Sequence, residues 1–210
     1  QDTRLGGYAG FLSARFFEER IFSEEAYNGV FREAEDAFRE KLDGTDERDK
    51  FRIRIYNMRD DVIKLECKHK SNGYIKKQSV NLSRKEYEQL MMGRRGFLLN
   101  RPEPFAHRMY LEFTQRALKP AVIVDYTREP FVFPMEDVRI TFDKDIRTAY
   151  RATDMFDANL PTYPVIDGGD MVLEVKFNRF LSTYVRSLLQ PDRCQRSAIS
   201  KYVLCRKFEL

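Results

Sequence analysis

The stretch "KFRIRIY", Lys50–Tyr56, alternates two kinds of residue. As a strand it sets Phe51, Ile53 and Ile55 on one face and Arg52 and Arg54 on the other. Two guanidinium groups side by side repel each other, so either water or an anion must hold that face. Deciding between the two decides the fold.

The same period of two recurs outward from this stretch. "IKLECKHK" (63–70) sets Lys64, Glu66, Lys68 and Lys70 opposite Leu65 and Cys67. "VDYTREP" (124–130) puts Tyr126 and Arg128 together, and "VRITFD" (138–143) sets Arg139 and Asp143 against Val138, Ile140 and Phe142. "MVLEVKF" (171–177) sets Glu174 and Lys176 against Met171, Leu173, Val175 and Phe177, and "ISKYV" (199–203) adds Lys201 beside Ser200. A half-exposed antiparallel sheet shows such alternation with its charges simply in water. The sharper alternative is a closed barrel with the charged faces turned inward and helices over the apolar outside. Such an interior needs a polyanion, metal ions and water, because like charges are not desolvated without partners. The Arg52-x-Arg54 pair favours it, since the guanidinium fork matches phosphate oxygens bidentately.

The rest of the chain supplies mostly strands. "ARFFEERIF" (14–22) reads as a strand. "SEEAYNGVFREAEDAFREK" (23–41) reads as a helix, with Ser23 as N-cap, acids in its first turn and Phe31, Ala34 and Phe38 at helical spacing. Strands follow at 50–57, 61–70 and, after a Ser-Asn-Gly turn, 74–82. Ser83 and Glu86 form a capping box that opens a helix to Met92, and a second helix runs from Pro104 to Leu118. Residues 120–134 and 137–143 read as successive antiparallel strands. A short helix covers 180–189, and "SAISKYVLC" (197–205) reads as a closing strand. The fold class is α+β, either an open antiparallel sheet or a barrel with peripheral helices.

Composition narrows the function. The 210 residues suit one domain with a real core, and 42% hydrophobic with 13% aromatic content suits a globular chain. A net charge of +4 permits an anionic partner but falls short of what a nucleic-acid binder needs. No apolar run approaches the roughly 20 residues of a membrane helix, and no signal peptide opens the chain. Cys67, Cys194 and Cys205 show no CxxC pairing, which fits free thiols and a cytoplasmic location. There is no Walker A motif and no Ser-His or Cys-His catalytic pattern. With His69 on an apolar strand face and His107 in a helix, no zinc site is readable. Carboxylate oxygens remain, which suit Mg²⁺ or Mn²⁺ shared with phosphates.

In order, "EKLDG…KFRIRIY", "IKLECKHK", "VIVDYTREP", "VRITFD", "LEVKF" and "SAISKYVLCR" resemble the VTC domain over residues 40–206. This is the polyphosphate polymerase domain of the triphosphate tunnel metalloenzyme superfamily. The resemblance implies an eight-stranded antiparallel barrel enclosing a basic tunnel. It also implies transfer of the γ-phosphate of ATP onto a growing polyphosphate chain with a divalent metal. ATP and polyphosphate or pyrophosphate would be the partners. Carried over by motif, Arg52 and Arg54 match the paired strand arginines, Lys68 the lysine of an E-x-K strand, and Tyr126 and Arg128 a Y-x-R. Arg139 matches the V-R-I strand, Ser200 and Lys201 the phosphate-binding S-K pair, and Glu174 the metal ligand; Glu66, a carboxylate outside that carry-over, is a possible second ligand. Residues 1–40 depart from the family pattern: "RFFEERIFSEEAY" stands as a degenerate first strand and helix, with Glu18 and Arg20 where Glu and Lys are expected, or "FLSARFFEE" echoes a later strand. A tunnel triphosphatase and a non-catalytic polyanion-binding domain are the alternatives. Lys70, Lys76 and Lys77 read as solvated hairpin lysines or as a guide for product.

Overall fold

In a computed structural model of the chain, described at residues 24–32, 47–133, 137–149, 154–178, 180–189 and 199–208, eight strands form one antiparallel sheet. The strands are β1 (Glu24–Arg32), β2 (Arg48–Tyr56), β3 (Arg59–Ser71), β4 (Tyr74–Leu82), β5 (Lys119–Phe133), β6 (Val138–Ala149), β7 (Tyr163–Pro164) and β8 (Val172–Lys176). Their order is β4-β3-β2-β1-β5-β6-β7, and β8 also pairs with β6. Among the described residues four α-helices accompany them: α1 (Arg84–Met91), α2 (Pro104–Gln115), α3 (Thr183–Leu188) and α4 (Lys201–Phe208).

Local chemistry explains the β2–β4 meander. Asn57 and Met58, with φ of 50° and 52°, turn β2 into β3, and Asn72 and Gly73, with φ of 48° and 81°, turn β3 into β4. Positive φ at both central residues is the two-residue turn whose twist matches that of the flanking strands. The register then opposes Arg52 to Glu66 and Arg54 to Lys64, so one face collects the charges. The other face collects Phe51, Ile53, Ile55, Leu65, Cys67, Val80 and Leu82 in one buried cluster.

Helices cover that apolar face. In α1 the Ser83 hydroxyl accepts from the Glu86 N–H while the Glu86 carboxylate accepts from the Ser83 N–H at 2.8 Å, the expected capping box. Pro104 opens α2, whose Phe105, Ala106, Met109 and Phe113 make a helical stripe into the same cluster. Asp49 fastens α2 to the sheet: Arg108 Nη2 donates to its Oδ2 at 3.0 Å, and His69 Nδ1 lies 2.9 Å from Oδ1. Burial and the Asp49 charge push the neighbouring Cys67 thiol up to about 12. A second apolar cluster, Phe131, Ile140, Phe142, Leu173 and Val175, is covered by Leu181, Val185 and Leu189 around α3.

Three expectations are corrected. Residues 24–32, read within a helix, form β1, laddered to β2 on one side and β5 on the other. A helix there would leave both neighbours with unpaired edges, and Gly29 at its centre already weakens a helix by about 1 kcal/mol. Residues 201–205, read within a closing strand, belong to α4, because helical spacing turns Tyr202 and Cys205 together onto Val122, Val124, Tyr126 and Ile146. The expected closed barrel is also not formed by the described strands: no ladder joins β4 to β7 or β8. The strand read at 14–22, with Glu18 and Arg20, lies outside the described residues.

Candidate functional site

The charged face is continuous across the sheet. Through β1, Arg52 and Arg54 of β2 are linked in register to β5, where Tyr126 opposes Ala26 and Arg128 opposes Glu24. Arg128 in turn opposes Asp143 of β6, and Thr141 of β6 opposes Glu174 of β8. Pleating therefore places Arg52, Arg54, Tyr126, Arg128, Asp143 and Glu174 on one side of the sheet. Helix α4 lies over this same side, packing on β5 and β6.

Two buried carboxylates organise the cations. Glu66, 2% exposed, accepts from Arg52 Nε at 2.7 Å on Oε2, and its Oε1 pairs with Lys77 Nζ at 2.6 Å. Burial alone would raise the Glu66 pKa, but the Arg52 charge and the Lys77 hydrogen bond hold it below the usual carboxylate value. Burial and the like charge of Arg54 pull the Arg52 guanidinium below its ordinary value, opposed by Glu66.

Asp143, with no exposure, holds the other pair. Arg128 donates from Nε to Oδ1 at 2.6 Å and from Nη2 to Oδ2 at 2.8 Å, and Lys201 Nζ pairs with Oδ2. Despite burial, the Arg128 hydrogen bonds and the Lys201 charge keep Asp143 below the usual carboxylate range. Glu174 sits 3.6 Å from Arg128 Nη2 and 3.1 Å from Lys176 Nζ. Burial raises it, but Lys176 and Arg128 win and lower its pKa. Tyr126 packs against the second group: its ring lies 5.2 Å from the Arg128 guanidinium and 5.0 Å from Lys201 Nζ.

Of the residues singled out in the sequence, Arg52, Arg54, Tyr126, Arg128, Glu174 and Lys201 come together. Lys68 stands further along β3, opposite Lys50 and Lys77. Arg139 is exposed at the far end of β6, opposite Lys176. Ser200 precedes α4, where its carbonyl accepts from the Leu204 N–H at 3.0 Å. Glu66 serves as a counter-charge to Arg52 and Lys77. The sequence reading gave Asp143 and Thr141 no role, and it took Lys77 for a solvated hairpin lysine or a product guide, whereas Lys77 pairs with Glu66. Alternation on β6 already placed the first two on the charged face; the signal missed was that a carboxylate among cations is held rather than solvated.

A divalent metal is tested by the donor set. Among the described residues no group of three or more His, Cys, Asp or Glu gathers to hold an ion. Glu174 is a partly exposed hard donor, and the buried Thr141 hydroxyl on the strand beside it has no hydrogen-bond partner among the described residues. This set fits an ion that draws its remaining oxygens from phosphates and water, as Mg²⁺ and Mn²⁺ do.

The fold and site together define an α+β domain that gathers cations on one face of an antiparallel sheet. The profile of the VTC domain matches residues 32–209, and the chain belongs to that family. The coarse function that follows is enzymatic, of the tunnel-metalloenzyme kind, and concerns nucleotide or polyphosphate phosphates and divalent metal. The PH1819 protein of Pyrococcus horikoshii OT3 shares the fold at 15% identity and a TM-score of 0.51, over 100% of this chain and 99% of that one. A Bacillus halodurans structure described as "a putative adenylate cyclase" aligns at 11% identity and a TM-score of 0.46, over 90% and 88% of the two chains. No curated protein matches the chain. Among the described residues no helix is long and apolar enough to cross a membrane.

Proposed function

We propose that the domain is an ATP-dependent polyphosphate polymerase that moves the γ-phosphate of ATP onto a polyphosphate chain held along its charged sheet face. The observation that carries this reading is the gathering of Arg52, Arg54, Arg128 and Lys201 on one side of the sheet, with Arg128 and Lys201 against Tyr126. Arg128 and Lys201 side chains are only 13% and 18% exposed, far below what a wet sheet face shows. Cations held that dry stand ready for an anion of high charge density.

The attacking atom is a terminal phosphate oxygen, ionised at neutral pH, so the reaction needs no general base. Its barrier is the repulsion between two polyanions. Arg52, Arg54, Arg128 and Lys201 offset that repulsion at the centre, and Lys68 and Arg139 offset it at the flanks. Each such donor contributes roughly 10²–10³ in rate. Tyr126 and Ser200 add hydroxyl donors that orient phosphate oxygens. Glu174 would hold the metal, with Thr141 beside it, and Mn²⁺ or Mg²⁺ would supply further charge neutralisation on the phosphates. Cys67 and Cys205 are buried thiols outside any disulfide, which suits a reducing cytoplasm.

Incubating the purified chain with ATP and Mn²⁺ tests the reading. Long-chain polyphosphate with ADP is the expected product. Free phosphate alone would instead make the domain a triphosphatase, and polyphosphate retention without turnover would make it a binding module.

A further inference from the structure

The geometry points to Asp143 as a positioning residue that aims Arg128 and Lys201 at the phosphate chain and, through Lys201, latches α4 over the site; this rests on the phosphate-binding reading above. Three observations support it. First, Asp143 is fully buried yet accepts from two cations on different elements, β5 and α4. Burying a lone carboxylate costs several kcal/mol, so it persists only where its partners are fixed.

Second, the contact to Arg128 uses Nε and Nη2, a bidentate grip that sets the guanidinium plane. Nη1 has no hydrogen-bond acceptor among the described residues, and Nη2 also lies 3.6 Å from Glu174 Oε2 on the charged face. Third, Lys201 occupies the first turn of α4, where the helix dipole disfavours a cation. A lysine at that point does nothing for the helix alone. Asp143 supplies the missing counter-charge, and the pairing ties the start of α4 to β6. Lys201 keeps further N–H donors beyond the one Asp143 accepts, so both cations reach a ligand while anchored.

The test is calorimetric binding of inorganic tripolyphosphate with Mn²⁺ present, using the whole chain as wild type, Asp143→Asn, Asp143→Glu, Lys201→Ala and the Asp143→Asn/Lys201→Ala double variant. Asp143→Asn is expected to weaken binding about tenfold to a hundredfold. Asp143→Glu, which keeps the charge, is expected to recover most of that loss. In the Asp143→Asn background Lys201→Ala is expected to cost less than about twofold, because its aim is already gone. Amide exchange at 201–208 is expected to quicken equally in Asp143→Asn and Lys201→Ala. If Asp143→Asn does not fold, exchange in Lys201→Ala decides: unchanged protection of 201–208 would overturn the latch. Equal or tighter tripolyphosphate binding by a folded Asp143→Asn would also overturn the proposal, since Asp143 would then merely compete with phosphate. Wild type that fails to bind tripolyphosphate sinks the phosphate reading and this inference together, whereas binding by wild type with an indifferent Asp143→Asn sinks the inference alone.

Discussion

Glu66 and Asp143 are built alike and assembled differently. Each is a buried carboxylate that holds two cations on the same sheet face. The partners of Glu66 come from the strands on either side of it in one meander, and they stay fairly wet, with Arg52 30% and Lys77 49% exposed. The partners of Asp143 come from β5 and from α4, a helix placed much later in the chain, and they are drier. The first cluster therefore arises from hairpin register alone, while the second joins the β5–β6 register pair Arg128–Asp143 to Lys201, which arrives only once α4 docks. Depth of burial and distance in sequence make the second stronger when intact and costlier to damage.

The largest effect separates activity from stability. Arg52→Ala with Arg54→Ala is expected to abolish polyphosphate synthesis, a loss of roughly 10²–10³ for each donor, and ATP binding with it, while circular dichroism stays native. Glu66 keeps Lys77, so the fold survives. Arg128→Ala is expected to match that loss of activity for one donor and also to destabilise by about 3–5 kcal/mol in urea titration, because Asp143 loses its bidentate partner in a dry site. Equal stabilities for the two variants would erase the distinction between the clusters.

Acid sharpens the same contrast. Glu66, Asp143 and Glu174 all have pKa values depressed by their cations. Unfolded carboxylates titrate near roughly 4, so below that the unfolded chain binds protons the folded one refuses. Stability is then full above about pH 4 and declines as pH falls through the lower folded values. Glu66→Gln is expected to flatten this acid limb in urea midpoints measured from neutral pH downward. A limb unchanged by the substitution would mean that Glu66 does not couple protonation to folding.

How far the sequence could be read follows from the range of the forces. Arg52, Arg54, Tyr126, Arg128 and Glu174 were legible because strand pleating depends only on neighbours two residues apart. The Ser83–Glu86 cap and the Asn72-Gly73 turn were legible for the same reason. Residues 24–32 were misread because the deciding forces are ladders to β2 and β5, partners far along the chain that outweigh local helical spacing. Residues 201–205 were misread because the alternation of Ser200 and Lys201 suits a strand, whereas docking of Tyr202 and Cys205 on β5 and β6 selects a helix. Asp143 was visible on the right face but its role was not, since a carboxylate's partners come from tertiary structure.

The smallest expected effect lies at Thr141, between the Asp143 cluster and Glu174. Its hydroxyl is buried at 1% exposure with no hydrogen-bond partner among the described residues, while Asp143 and Glu174 on the same face are ion-paired. An unmet hydroxyl of this kind costs about 1–3 kcal/mol, and an isosteric methyl removes that cost. A residue kept only for packing would lose nothing in either respect. Thr141→Val is therefore expected to leave stability unchanged or raise it by about 1 kcal/mol, while the Mn²⁺ concentration needed for half-maximal turnover rises severalfold. The opposite signs are the point. A stability loss would show that the hydroxyl has a structural partner, and an unchanged metal requirement would remove Thr141 from the site and leave Glu174 to act without it.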